Sequence, residues 1–114
     1  MPRKMICVIG SQSSGTTLLT DYFSRAGCTL SDRADEHTFF EDPELNNLND
    51  QILQKRRFNW HNVPLHATIH PDVCTTTLLH KYFLQHPRLD LIKDPRILML
   101  LNIYEYLDID FQFI

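Results

Sequence analysis

An apolar run near the start of this chain stops at a glycine, and a short loop rich in hydroxyl side chains follows it. The run is Ile6–Ile9, the loop extends from Gly10 to Gly15, and Thr16 and Thr17 then open an apolar helical pattern. Glycines let the backbone curl tightly, with its N–H groups pointing inward. The first turn of a helix adds unpaired N–H groups and the positive end of its dipole, so this layout favours binding of an anion such as phosphate.

The spacing of the two loop glycines matches the nucleotide-binding P-loop. The residue after Gly15 is Thr16, however, where an ATPase or GTPase carries Lys. The sequence is therefore still consistent with phosphate binding, but it argues against ATP hydrolysis. The structural alternative is a plain strand-to-helix turn capped by Ser and Thr. The position of the loop between a strand and a helix favours the phosphate interpretation.

The loop and a downstream segment together resemble one family. Gly10–Thr17 is similar to the 5′-phosphosulfate loop of sulfotransferases that use 3′-phosphoadenosine 5′-phosphosulfate (PAPS). Ser14 and the three residues after it match that loop, whereas Ser13 stands where the family usually has Arg or Lys. Lys93–Arg96, reading Lys-Asp-Pro-Arg, resembles a segment of the bacterial-type members. Further similarity to the middle of these proteins lies in Phe40–Leu45, Leu48–Asp50 and Trp60.

The resemblance implies transfer of a sulfuryl group from PAPS to a hydroxyl or amine on a small-molecule or glycan acceptor, leaving PAP. The implied cofactor-binding residues are Gly10, Ser13, Ser14, Gly15, Thr16, Thr17 and Arg96. The implied catalytic residues are Lys93, which would stabilise the leaving phosphate oxygen, and Glu41, which we favour over His37 and Asp94 as general base.

Each of these charged residues also has an ordinary structural interpretation. Lys93 can be an exposed lysine that pairs with Asp94, and Arg96 can pair with a nearby acid. Asp94 is expected to be the N-cap of its helix. Glu41 can interact with the dipole of the helix that it precedes.

The pattern of elements predicts an α/β fold, with a parallel sheet, flanking helices and the general architecture of P-loop NTPases. We predict strands at Ile6–Ile9, Leu89–Ile92 and Asp108–Ile114. Helices are predicted at Gly15–Ala26, from Pro43 to Lys55–Arg57, from Pro71 to about Gln85, and at Asp94–Leu107. Loops are predicted at Ser31–Asp42 and Asn59–His70. In a parallel sheet, ligands bind beyond the carboxyl ends of the strands. We therefore expect the glycine loop and Lys93 to lie at the same edge.

Composition narrows the class of protein further. The chain has 114 residues and a net charge of -3, with no long basic block, which argues against general nucleic-acid binding. No apolar run approaches the roughly 20 residues of a membrane span. The three cysteines are widely spaced, which fits reduced thiols and a cytoplasmic location, and the six histidines show no metal-binding spacing. We therefore predict no metal site.

The chain is long enough for one small domain, spanning residues 1–114. Phe111–Ile114 resembles the body of a strand, which in the resembling family leads to an Arg and a Ser that bind the 3′-phosphate. We therefore expect an N-terminal part of a longer sulfotransferase-like domain, inactive alone. Two alternatives remain at this point: a P-loop kinase-like protein that uses ATP, and a non-catalytic nucleotide-binding remnant, which Ser13 favours. The sequence does not indicate an oligomeric state.

Overall fold

A computed structural model of the chain describes residues 2–10, 15–55 and 71–114. The strands are β1 (Arg3–Val8), β2 (Leu91–Lys93) and β3 (Ile109–Phe113), the α-helices are α1 (Thr16–Arg25), α2 (Pro43–Lys55), α3 (Val73–Gln85) and α4 (Leu101–Tyr106), and short 3₁₀ helices span Glu36–Thr38 and Pro95–Leu100. The predicted loop Asn59–His70, together with Ser13, Ser14 and Trp60, lies outside the described residues.

The three strands form one parallel sheet in the order β2-β1-β3. Val8 is in register with Lys93 at one edge of the sheet, and Cys7 is in register with Phe113 on the other neighbour. The carboxyl ends of β1 and β2 therefore meet, as the sequence predicted. The α/β class and the parallel sheet are confirmed.

The larger part of the core lies on the sheet face that carries Met5 and Cys7. Side chains from α2, α3 and α4 cover this face, together with Ile92 and the aromatic residues of β3. Alternation along a strand puts Val8 and Lys93 on the opposite face. On that face α1 packs against β1 and β2. The sheet is therefore covered on both faces next to the ends of β1 and β2.

The predicted helix at Asp94–Leu107 is wrong in its first half. A 3₁₀ helix spans Pro95–Leu100, and regular α-helix begins only at Leu101. Asp94 is the N-cap, with its side chain accepting a hydrogen bond from the backbone N–H of Arg96, as expected. Pro95 suits this start because its fixed φ and missing N–H cost nothing at a first helical position.

The first strand starts earlier than predicted, at Arg3. The Arg3 guanidinium donates hydrogen bonds to the backbone carbonyls of Phe83, His86 and Leu89, at the end of α3 and in the turn that follows. The carbonyls of Phe83 and His86 also accept backbone N–H groups, so the Arg3 guanidinium adds a second donor at the end of α3. The start of β1 is thereby fixed to the segment that leads into β2.

Three features of the described residues bear on the remaining predictions. Cys7, Cys28 and Cys74 are free thiols. The expected loop at Ser31–Asp42 contains one short 3₁₀ helix. None of the helices within the described ranges has both the length and the apolar content required to cross a bilayer.

Candidate functional site

The buried ammonium group of Lys93 joins three separate segments at the carboxyl edge of the sheet. Its Nζ atom donates to Thr17 Oγ1 at 2.9 Å and to the Phe39 carbonyl at 2.8 Å, and lies 3.5 Å from Glu41 Oε2. The Lys93 side chain is only 5% exposed. The ordinary interpretation of Lys93 as an exposed lysine is therefore wrong, because the side chain points inward toward α1 and the segment before α2.

The start of α1 lies beside Lys93. Gly15 is its N-cap, in the left-handed region with φ of 85°. The Gly15 carbonyl accepts the first helical hydrogen bond, from Leu19 N, whereas a glycine has no side chain with which to cap the first-turn N–H groups. The helix therefore begins in the form that suits an anion, with the Thr16 and Thr17 side chains on its first turn.

The segment at Phe39–Phe40 has an unusual backbone. Both residues have positive φ, 54° and 62°, which costs free energy for bulky side chains. Asp35 holds them in place, because its carbonyl accepts from Phe40 N at 2.7 Å and its side chain caps the preceding 3₁₀ helix. This conformation turns the Phe39 carbonyl onto Lys93 and leaves the Phe39 side chain 65% exposed.

These groups surround a cavity of about 390 Å³. Its described lining consists of Gly10, Thr16, Thr17, Phe39, Glu41, Lys93 and Pro95. The structure thus brings five of the nine residues that the sequence analysis assigned, Gly10, Thr16, Thr17, Glu41 and Lys93, to one cavity. Gly15 adjoins it, and Ser13 and Ser14 lie outside the described residues. We refer to this space as the Lys93 cavity.

Arg96 lies behind Glu41 and is absent from the described lining of the Lys93 cavity. Its guanidinium donates to Asp50 Oδ1 at 2.8 Å and to Asp94 Oδ1 at 3.1 Å, and Nη1 lies 3.6 Å from Glu41 Oε1. Glu41 therefore stands between two cations, with Lys93 on one side and Arg96 on the other. This geometry suits Arg96 for orienting Glu41 rather than for a direct contact within the cavity.

The buried side-chain amide of Asn49 holds Asp94, the acid that pairs with Arg96. Asn49, on α2, donates from Nδ2 to Asp94 Oδ2 at 2.7 Å and accepts at Oδ1 from the Tyr104 hydroxyl at 2.5 Å. Asn49, Asp94 and Tyr104 are fully buried. The sequence analysis placed Asn49 only within a resembling segment. Its position on the apolar stripe of α2, one turn after Leu45, was the signal for a buried polar role.

Both carboxyl groups near the cavity are altered by burial. Desolvation raises the pKa of Glu41, and the neighbouring Asp94 adds to this rise, while Lys93 and Arg96 oppose it without cancelling it. Desolvation likewise raises the pKa of Asp94, against the hydrogen bonds from Asn49 and Arg96. A carboxyl with a raised pKa beside a cavity is a candidate for proton exchange with a ligand.

One further group of side chains has the spacing of a metal site. Asp42, Glu44 and His86 each place one potential ligand atom within 4.8 Å of the others. Asp42 already accepts hydrogen bonds from Glu44 N at 2.9 Å and from the Tyr82 hydroxyl, and His86 lies 3.5 Å from Glu44. These contacts explain the cluster as the capped and paired start of α2, without a bound ion.

The fold and the site together define an α/β protein with a cavity at the carboxyl edge of a small parallel sheet, lined by a glycine turn, two threonines, a lysine and a carboxyl group. The chain matches no protein-family model, no curated protein and no solved structure.

Proposed function

We propose that this chain carries the donor half of a PAPS-dependent sulfotransferase site, which moves a sulfuryl group to a hydroxyl or amine of a small-molecule or glycan acceptor. The single observation that carries the proposal is the 2.9 Å hydrogen bond between Lys93 Nζ and Thr17 Oγ1. It joins the glycine loop to the Lys-Asp-Pro-Arg segment, the two motifs on which the family resemblance rests. A cation thereby stands beside the end of a helix that favours an anion.

The chemistry requires two things of these residues. The donor's 5′-phosphosulfate would be held by the first-turn N–H groups of α1 and the hydroxyls of Thr16 and Thr17. As the sulfur–oxygen bond breaks, its electron pair passes to the phosphate oxygen, and the ammonium of Lys93 stabilises that growing charge. Lys93 would exchange a present hydrogen bond, such as the one to Thr17, for this oxygen.

Glu41 is the residue suited to take the proton of the acceptor. It lines the Lys93 cavity, and burial raises its pKa toward the range in which a general base works best. Its two oxygens face Lys93 and Arg96, respectively. Arg96 would then position Glu41 and limit the rise of its pKa.

The kinase-like alternative is weakened by the state of Asp94, the acid that follows β2 at the position where a magnesium-binding carboxylate would be sought. Asp94 is buried, and both of its oxygens already accept hydrogen bonds, from Arg96 and Asn49. Displacing these donors to bind Mg²⁺ would leave buried polar groups unpaired.

The test is calorimetric titration of the protein with PAP and, separately, with ATP and Mg²⁺. We expect PAP to bind more tightly, and Thr17→Val to weaken PAP binding about tenfold, because a hydroxyl bonded to a charged group is lost. Thr77→Val, at an exposed position of α3, is the matched control and should leave binding unchanged. Tighter binding of Mg-ATP would favour the kinase alternative, and PAP binding without transfer in a longer protein that supplies the rest of the site would favour the non-catalytic one.

A further inference from the structure

A second cavity, of about 590 Å³, adjoins the Lys93 cavity. The two share a wall formed by Thr16, Thr17 and Phe39. The second cavity lies between the first turns of α1 and the 3₁₀ helix at Glu36–Thr38, and its described lining is Gly15, Thr16, Thr17, Leu18, Asp21, Glu36, Phe39 and Phe40. Its volume falls within the range of sites that enclose small organic ligands. A molecule in this space can therefore contact three residues that also line the Lys93 cavity.

Large apolar side chains stand exposed on the walls of this second cavity. Leu18 is 76% exposed, and Phe39 is 65% exposed in its left-handed backbone conformation. A bulky residue in such a conformation costs free energy, and strained residues of this kind cluster at functional sites. Exposed rings of this kind can contact the apolar body of a ligand, which gives this costly conformation a use.

The ionisable groups on the described walls are both acids, Asp21 and Glu36. Asp21 pairs with Arg25 at 3.0 Å, but the Arg25 side chain is 77% exposed, and such surface pairs are weak. The carboxylate of Asp21 therefore remains open to a competing cation. The charge of this cavity thus contrasts with that of the Lys93 cavity, where the ammonium and the start of α1 favour an anion.

We propose that the second cavity holds the acceptor and selects an organic cation, an ammonium compound with an aromatic or similarly apolar body. This inference rests on the sulfotransferase function proposed above. Asp21 and Glu36 attract the ammonium group, while Leu18, Phe39 and Phe40 contact the apolar body. The face of an aromatic ring adds a cation–π attraction. The shared wall at Phe39 places such a ligand beside the Lys93 cavity, which Lys93 and Glu41 line.

Three probes of similar size and different charge test this selection by calorimetry: 2-phenylethylammonium, 2-phenylethanol and 3-phenylpropionate. We expect the ammonium to bind most tightly and the carboxylate most weakly. Glu36→Gln and Asp21→Asn should each weaken the ammonium about twofold to fivefold, the range of an exposed ion pair, and leave the alcohol unchanged. Glu105→Gln, exposed on α4, is the charge-matched control and should change nothing. Phe39→Ala should weaken the ammonium and the alcohol alike, by about threefold.

Equal affinities for the three probes, no binding, or competition between the ammonium probe and PAP would each overturn the inference. Titration with PAP in the same preparation separates this inference from the proposed function. If PAP binds and the ammonium probe does not, the acceptor inference is wrong and the donor site stands. If the ammonium probe binds in the expected order and PAP does not, the sulfotransferase function fails, and the acceptor role of the cavity fails with it.

Discussion

The amide of Asn49 holds the buried carboxylate of Asp94 through a 2.7 Å hydrogen bond, so α2 is attached to the end of β2 by two polar side chains within the core. Asp94 in turn accepts from the guanidinium and the backbone N–H of Arg96. The positions of Arg96 and Glu41 therefore depend on an interaction that lies below the cavity and touches none of its space.

Replacing Asn49 should destabilise the protein strongly. Asn49→Ala removes the buried hydrogen-bond partner of Asp94 Oδ2 and that of the Tyr104 hydroxyl, so we expect the free energy of unfolding to fall by about 3 kcal/mol. Asn47→Ala, exposed two positions earlier on α2, is the control and should change it by less than about 0.5 kcal/mol. Urea denaturation followed by circular dichroism measures both variants. Similar losses in the two would show that the Asn49 contacts contribute nothing specific.

Lys93 should matter more for turnover than for donor binding. Lys93→Met keeps the apolar stem and removes the charge, which acts mainly as the leaving oxygen becomes negative. In a longer protein that also supplies the 3′-phosphate part of the site, we expect transfer of labelled sulfate from PAPS to fall by about a hundredfold or more, whereas PAP affinity changes by less than about threefold. Lys81→Met, exposed on α3, is the matched control. Equal turnover in Lys93→Met and the wild type would remove Lys93 from the reaction.

Glu41 should make stability fall as the pH rises. Because the pKa of Glu41 is raised in the folded state, the folded protein binds more protons than the unfolded chain as the pH passes from the ordinary value of 4.5 upward. The free energy of unfolding therefore decreases across that interval. The stability of Glu41→Gln should decrease less over the same interval, because this ionisation is absent. Urea denaturation between pH 4 and 8 provides the comparison, and parallel curves would contradict the predicted shift.

Substitution of the two described glycines with positive φ should affect stability similarly and PAP binding differently. A Cβ at Gly15 or Gly27 would meet no atom within 4 Å, so substitution by alanine brings backbone strain without a clash. We expect Gly15→Ala and Gly27→Ala each to lower the free energy of unfolding by about 1–2 kcal/mol. In titrations, only Gly15→Ala should weaken PAP binding, because only Gly15 opens the helix beside Lys93. Equal effects on PAP binding in the two variants would argue against a ligand site at α1.

The parts of the fold that follow from local pattern were predictable. The β-branched run before Gly10, the spacing of apolar residues in α1 and α2, and the Asp94-Pro95 helix start all depend on neighbours in sequence. The 3₁₀ form of Pro95–Leu100 was missed because its apolar residues are buried at a spacing that also fits an α-helix. The 3₁₀ helix at Pro95–Leu100 packs against α2, and the sequence pattern alone does not show this contact.

The proximity of Lys93 to the glycine loop was predictable from the sequence, whereas the detailed contacts around Lys93 were not. The glycine loop and Lys93 could be placed at the same sheet edge from the order of the elements, whereas Glu41 was named from the family resemblance. The left-handed backbone of Phe39 and Phe40 carried no sequence signal, because neither residue favours positive φ. A local hydrogen bond from Phe40 N to the Asp35 carbonyl and a tertiary one from Lys93 to the Phe39 carbonyl accompany this conformation, and the second has no signal in the linear sequence.

The parallel sheet also has a kinetic consequence. Thr17 and Lys93 are 76 positions apart in the chain, and β1 lies in the middle of the sheet although it comes first in the sequence. Closing loops of this length costs entropy before any contact repays it, so proteins with such topologies fold slowly. The ligand cavity exists only once β1 and β2 have paired. A ligand of the Lys93 cavity would therefore slow global unfolding and hydrogen exchange of the β1 amides, and would do little for the exposed turns.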